Sequence, residues 1–137
     1  MELRRVIVLG FLASLGGCLS RTLPVPPPVV ESITVAECDT ARCPRGGTIV
    51  TLEGRGALPE AQVIVEDTEM AARGPRGEVL GALARATDIG TWRVVLEPQR
   101  DADGNVRAPQ RGDVLNVYQI TPSFETSQSA FREIPRR

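Results

Sequence analysis

From Val29 onward, apolar and polar residues alternate over short stretches, the period of two that turns one face of a strand to a core and the other to water. Val29 to Ala36 (VVESITVA) is β-branched and partly alternating. Thr48 to Glu53 (TIVTLE) alternates and stops at Gly54 and Gly56. Ala61 to Asp67 (AQVIVED) sets Val63 and Val65 on one face. Glu78 to Thr87 (EVLGALARAT) is alanine-rich and reads as a strand on the strength of its neighbours. Thr91 to Glu97 (TWRVVLE) puts Trp92, Val94 and Leu96 together, with Arg93 opposite. Asp113 to Thr121 (DVLNVYQIT) sets Leu115 and Val117 against Asn116 and Tyr118, and Ser127 to Ile134 (SQSAFREI) closes the chain. Short strands parted by Gly, Pro and Asp turns predict an all-β sandwich over residues 29–137. No stretch carries a sustained helical period with caps.

Three of these stretches carry a resemblance. GTIVTLEGRGALPEAQVIVED, VLGALARATDIGTWRVVLEP and GDVLNVYQIT are similar to the bacterial immunoglobulin-like repeats of surface proteins and adhesins. The matching positions are Gly56, Ala61, Val63 and Val65, then Ala84, Ala86, Asp88, Gly90, Trp92, Val94 and Leu96. The resemblance implies an Ig-like, Greek-key sandwich of seven strands, in one copy rather than the family's tandem array. Trp92 is legible without it. Only 4% of residues are aromatic, so one indole alternating with Val94 and Leu96 is expected in the core with its N–H bonded.

The first 28 residues follow another pattern. Arg4 and Arg5 precede an uncharged apolar run, Val6 to Leu15, that is too short to span a bilayer, which takes about 20 residues. Gly16 and Gly17 follow, and together these features read as an export signal over residues 1–17. Leu15-Gly16-Gly17-Cys18 resembles the bacterial lipobox. That resemblance implies cleavage before Cys18, a diacylglycerol on its thiol and an acylated amino terminus. Leu19, rather than Asp, after the cysteine implies sorting to the outer membrane. Residues 18–28 then hold Pro24, Pro26, Pro27 and Pro28, which favour an extended polyproline path and read as a spacer between membrane and domain.

In an exported chain, Cys38 and Cys43 are expected to close a small disulfide loop. Half a zinc site is the rival reading, but there is no second cysteine pair and no histidine. All 16 basic residues are arginine. The absence of His and Lys removes Ser-His-Asp and Cys-His nucleophiles, Schiff-base lysines and Walker lysines together. Glu66, Asp67 and Glu69 form the one tight acidic cluster and read as a solvated strand end. The sequence therefore points away from an enzyme and calls for no cofactor. A net charge of −1 offers no basic footprint for nucleic acid, and nothing marks a small-molecule pocket.

Candidate interaction residues lie between Pro98 and Gly112. Arg100, Asp101, Asp103, Arg107 and Arg111 alternate in sign along a long polar connection. With the strand Asp113 to Thr121, this connection is expected to face a protein partner in the cell envelope. Asp101, Asp103 and Asn105 also resemble the start of a calcium loop, although the glycine falls at position four and no glutamate follows at twelve. Arg111-Gly112-Asp113 spells RGD but reads as a bridge into a strand. The reading that gathers most of this is a lipid-anchored, non-catalytic interaction module. A glycan- or peptidoglycan-binding module is the alternative, with Tyr118, Phe124 and Phe131 as its available aromatics.

Overall fold

The computed structural model describes residues 23–137, so the export signal, the lipobox and Cys18 lie outside the described residues. Seven strands fall where the alternation places them. They are β1 (Val29–Glu37), β2 (Thr48–Arg55), β3 (Gln62–Asp67), β4 (Leu80–Arg85), β5 (Trp92–Leu96), β8 (Val114–Ile120) and β9 (Ala130–Glu133). A helical turn and a half, α1 (Thr68–Arg73), follows β3, and a two-residue-per-arm hairpin, β6 (Gln99–Arg100) and β7 (Val106–Arg107), precedes β8. Pairing is antiparallel throughout. One sheet runs β1-β2-β5 and the other β4-β3-β8-β9. Among the described residues no helix is long and apolar enough to cross a membrane.

The inner faces of the two sheets make the core. Val50, Leu52, Trp92, Val94 and Leu96 from one sheet meet Val63, Val65, Leu115 and Val117 from the other, all buried. Trp92 is 4% exposed, and its Nε1 donates to the Arg55 carbonyl at 3.1 Å. Its ring packs closely against the backbone of its partner residue, Gly54. A Cβ at Gly54 would sit 2.6 Å from Trp92 Cζ2 and 1.9 Å from the Val29 carbonyl, so this position admits glycine alone.

Short crossings join the sheets at one end. Residues 56–61 carry the chain from β2 to β3 and residues 86–91 from β4 to β5. The Ala57 N–H ties the two crossings by donating to the Gly90 carbonyl. Gly90 has φ +81°, and a Cβ there would meet the Ala57 carbonyl at 2.4 Å. The chain enters at this same end, because β1 starts opposite the end of β2. Here the structure departs from the expected free spacer. Gln128 N–H donates to the Val25 carbonyl and Gln119 Nε2 to that of Pro26, and Pro28 is buried. The last prolines belong to the folded body. Gln119, 0% exposed, is the hub: its Oε1 accepts from Leu58 N–H, its backbone N–H donates to Ser127 Oγ, and its amide holds Pro26.

Candidate functional site

The end opposite the chain entry gathers most of the charged residues singled out in the sequence. Cys38 and Cys43 are bonded there, closing the loop after β1. Residues 98–112 are not an open loop. Asp-Ala-Asp-Gly-Asn forms the turn of the β6–β7 hairpin, with Gly104 at φ +81°. Asp101 organises that turn: Oδ1 accepts from the N–H groups of Asp103 and Asn105, and Oδ2 from Arg107 Nε at 2.8 Å. The Asp101 side chain is 1% exposed, and Arg107 holds its carboxyl below the usual carboxylate range. Arg100 donates to the Gly104 carbonyl, and Asp103 pairs with Arg76 at 3.1 Å. Arg111 stands apart from this group, paired with Glu37 and bonded to the Pro135 carbonyl. The charges expected to face a partner are thus largely satisfied within the chain.

The candidate calcium residues come together only in part. Carboxylate oxygens of Asp101, Asp103 and Glu78 lie within 4.8 Å of one another, whereas Asn105 contributes a backbone N–H to the turn. Glu78 carried no signal in the sequence, since it reaches the hairpin from the connection before β4. Both its oxygens are withdrawn from solvent without a hydrogen-bond partner. A cation binding here would have to displace Arg107 from Asp101 and Arg76 from Asp103. The adjoining groove holds ≈ 210 Å³, below the roughly 300 Å³ at which small-molecule pockets begin.

A second cluster corrects the reading of Asp67 as a solvated acid: it is 0% exposed. It caps α1, its Oδ1 accepting from the N–H groups of Glu69 and Met70. Asp113 lies against it, clamped by both terminal nitrogens of the Arg73 guanidinium at 2.7 and 2.5 Å and by the Gln110 N–H. Burial, then the hydrogen bond and charge of Asp113, push the Asp67 carboxyl up to about 8. Burial opposes the charge of Asp113 too, but Arg73, Asp67 and Gln110 outweigh it and hold its carboxyl below the ordinary range. Asp67 is therefore the member of the pair that holds a proton, and its Oδ2 is buried with no other hydrogen-bond partner. With Asp113 3% exposed, the aspartate of the RGD tripeptide is not presented to solvent.

This pair sets a pH dependence of known sign. Between about pH 4 and 8 the folded chain keeps a proton on Asp67 that the unfolded chain has released. Asp67 therefore makes stability fall as pH rises through that window, by at most about 1.4 kcal/mol per pH unit for one proton. Asp113, depressed, acts oppositely and only at lower pH, where its stabilisation is lost on acidification. Asp67→Asn keeps the cap and supplies a permanent N–H donor to Asp113. Urea unfolding at pH 5 and pH 8 should show the gap between the two pH values narrowed in Asp67→Asn, which should be the more stable chain at pH 8. An unchanged pH dependence would place the proton elsewhere.

The two sheets differ on their outer faces. Across β1-β2-β5 that face is mostly polar, with Ser32, Thr34, Thr51, Glu53, Arg55 and Arg93, and its apolar members are Ala36, Ile49 and Val95. Across β4-β3-β8-β9 an apolar and aromatic centre lies among the polar residues Gln62, Glu66, Arg85, Asn116 and Glu133. Leu83, Ile64 and Tyr118 lie side by side in register, and Phe131 pairs with Asn116 in the adjacent row. Leu83 is 63% exposed and Phe131 58%. Tyr118 Oη donates to Glu66 Oε1 at 2.8 Å, and Asn116 Oδ1 has no partner. Burial, with the Glu66 hydrogen bond and charge, pushes the Tyr118 hydroxyl up to about 12. The third candidate aromatic, Phe124, lies off this face in the β8–β9 loop.

Compared with protein-family models, with curated proteins and with solved structures, the chain matches none.

Proposed function

We propose that this chain is a lipid-anchored bacterial envelope protein, held in the outer membrane through Cys18, whose β-sandwich is a non-catalytic docking module for another envelope protein. The anchor rests on the lipobox-like Leu15-Gly16-Gly17-Cys18 directly after an apolar run. The sheet orders β1-β2-β5 and β4-β3-β8-β9 support an Ig-like, Greek-key reading of the sandwich, joined at two places by short crossings. Fold alone names no function.

The observation that carries the docking role is the outer face of β4-β3-β8-β9. A solvated antiparallel sheet ordinarily turns polar side chains outward, as β1-β2-β5 does here. The row Leu83, Ile64, Tyr118 with Phe131 beside it breaks that rule over four strands, and uncovered apolar surface of this kind marks interaction sites. Aromatic residues amid aliphatic ones suit the centre of a protein–protein interface. The partner surface therefore moves from the hairpin, whose charges are internally paired, to the outward side of β8, the strand beside it.

The double variant Leu83→Arg, Phe131→Arg is expected to abolish co-purification of one stoichiometric partner from detergent-solubilised envelope, with the melting temperature moved by only a few degrees. Shortening the β6–β7 hairpin to a Gly-Ser turn is the control and should leave the partner bound. Loss of the partner only in the shortened chain would transfer the interface to Arg100 and Asp103. Peptidoglycan is the second reading, favoured by Phe131 and Tyr118 lying beside Glu66 and the unpartnered Asn116. Calorimetry with muropeptides decides it, since heat from the wild type but not from Phe131→Arg would place glycan on this face.

A further inference from the structure

The end of the sandwich at which the chain enters is ringed by apolar side chains that nothing covers. Leu23 precedes the segment held by Gln119 and Gln128, and Val29 opens β1. Leu58 lies in the crossing after β2, Ile89 in the crossing after β4, and Phe124 in the loop after β8. Strand register puts all of these at one end. Gln62 opens β3 opposite both Arg85, the last residue of β4, and Ile120, the last of β8; Trp92 opens β5 opposite Gly54. Phe124 is 89% exposed, Leu23 87% and Ile89 79%, the three most exposed large apolar residues among those described. Val79, Leu83 and Phe131 are the exposed large apolar residues elsewhere.

The loop that carries Phe124 is built rather than slack. Phe124 N–H donates to the Thr121 carbonyl, Thr121 N–H to that of Glu125, and Glu125 N–H to Thr121 Oγ1. Ile120 and Thr126 close it as a bridge. Phe124 sits at φ +66°, a conformation that side chains rarely adopt, and the turn leaves most of its ring in water. The two crossings are bound to one another through Ala57–Gly90, the first of them to β8 through Leu58–Gln119, and the β8–β9 loop to the entering chain through Gln128–Val25. The tips therefore form one rigid end.

We propose that this end rests on the bilayer, with Phe124, Ile89 and Leu23 inserted among the lipid headgroups. The occupant follows from where the chain leaves the described body, and so the proposal depends on Cys18 carrying the anchor. Seven residue steps part Cys18 from Val25, and at a maximum of about 3.6 Å each they hold this end within roughly 25 Å of the lipidated residue. The tether is thus too short to carry the entry end far from the membrane surface. Two ion pairs lie around the ring, Glu31 with Arg55 and Glu60 with Arg85, and the exposed acids Asp88 and Glu125 stand next to Ile89 and Phe124. Contact rests on apolar insertion and needs no anionic lipid. Held this way, the sandwich stands upright, its hairpin and disulfide end outward and the face of β4-β3-β8-β9 open to the side.

The test uses the full mature chain reconstituted in phosphatidylcholine vesicles, with and without brominated acyl chains. Phe124→Trp is compared with Val79→Trp at the opposite end, over the constant background of buried Trp92. Bromolipid should remove most of the emission added at position 124 and shift the remainder to the blue, while that added at position 79 stays unquenched. Mass spectrometry on the same samples reads the acyl groups. Acylated protein with position 124 unquenched, or quenched no more than position 79, overturns the proposal and leaves the anchor standing. Unacylated protein refutes the anchor; quenching at position 124 would still support contact of this end with lipid, and its absence would overturn it. Emission that shifts only when envelope protein is added assigns this end to a protein and overturns the lipid proposal.

Discussion

Trp92→Ala is expected to lower the stability of the sandwich by about 3–5 kcal/mol, the range for truncating a large buried aromatic side chain. Trp92 is the one tryptophan of a chain with few aromatic residues, and it lies 4% exposed between the two sheets. Alanine would leave a cavity over Gly54, where no side chain exists to collapse into it, and would leave the Arg55 carbonyl without the indole N–H. At a few degrees per kcal/mol for a domain of this size, the melting temperature followed by far-ultraviolet circular dichroism should fall by about 15–25 °C. Trp92→Phe retains most of the apolar area and should lose distinctly less. A shift of only a few degrees in Trp92→Ala would mean that the core does not depend on this residue.

Cys18→Ser should have the other large effect, on location rather than stability. Several acyl chains, at about 0.8 kcal/mol per buried methylene, hold a protein on a membrane stably, whereas apolar loop tips alone bind it reversibly. After gentle lysis the wild type is expected in the membrane pellet. Cys18→Ser should appear as unprocessed precursor or as soluble protein released by a salt or carbonate wash. The buried core runs from Val50 to Ile134, so the melting temperature of the soluble variant should match that of the wild type. Full membrane retention of a processed Cys18→Ser chain would contradict the anchor.

The strands were readable because β-branched residues alternate over five or more positions in most of them. Even the alanine-rich β4 followed its neighbours. What escaped was too short to have a period. The α1 segment Thr68–Arg73 makes a turn and a half, and its one signal, the cap Asp67, coincides with the last residue of β3. The arms of the β6–β7 hairpin are two residues each, so only its Asp-Gly-Asn turn was visible. The sites were less legible than the strands, because they are made by register. Alternation shows that Tyr118 faces away from Val117, but not that Leu83 and Ile64 lie in its row. Asp67 and Asp113 meet across 46 residues, and nothing near either one marks it as buried. Alternation sets Gln119 on the inner face with Leu115 and Val117, but nothing in the sequence shows that its amide binds the entering chain at Pro26.

Whether the mature protein begins at a lipidated Cys18 is tested most directly by the intact mass of the wild-type protein purified from membranes. The expected mass is that of residues 18–137 with one disulfide, plus a diacylglyceryl group and an amide-linked acyl chain, both retained on the amino-terminal peptide after proteolysis. A mature amino terminus at any other residue, or a Cys18 peptide without acyl mass, would contradict the anchor.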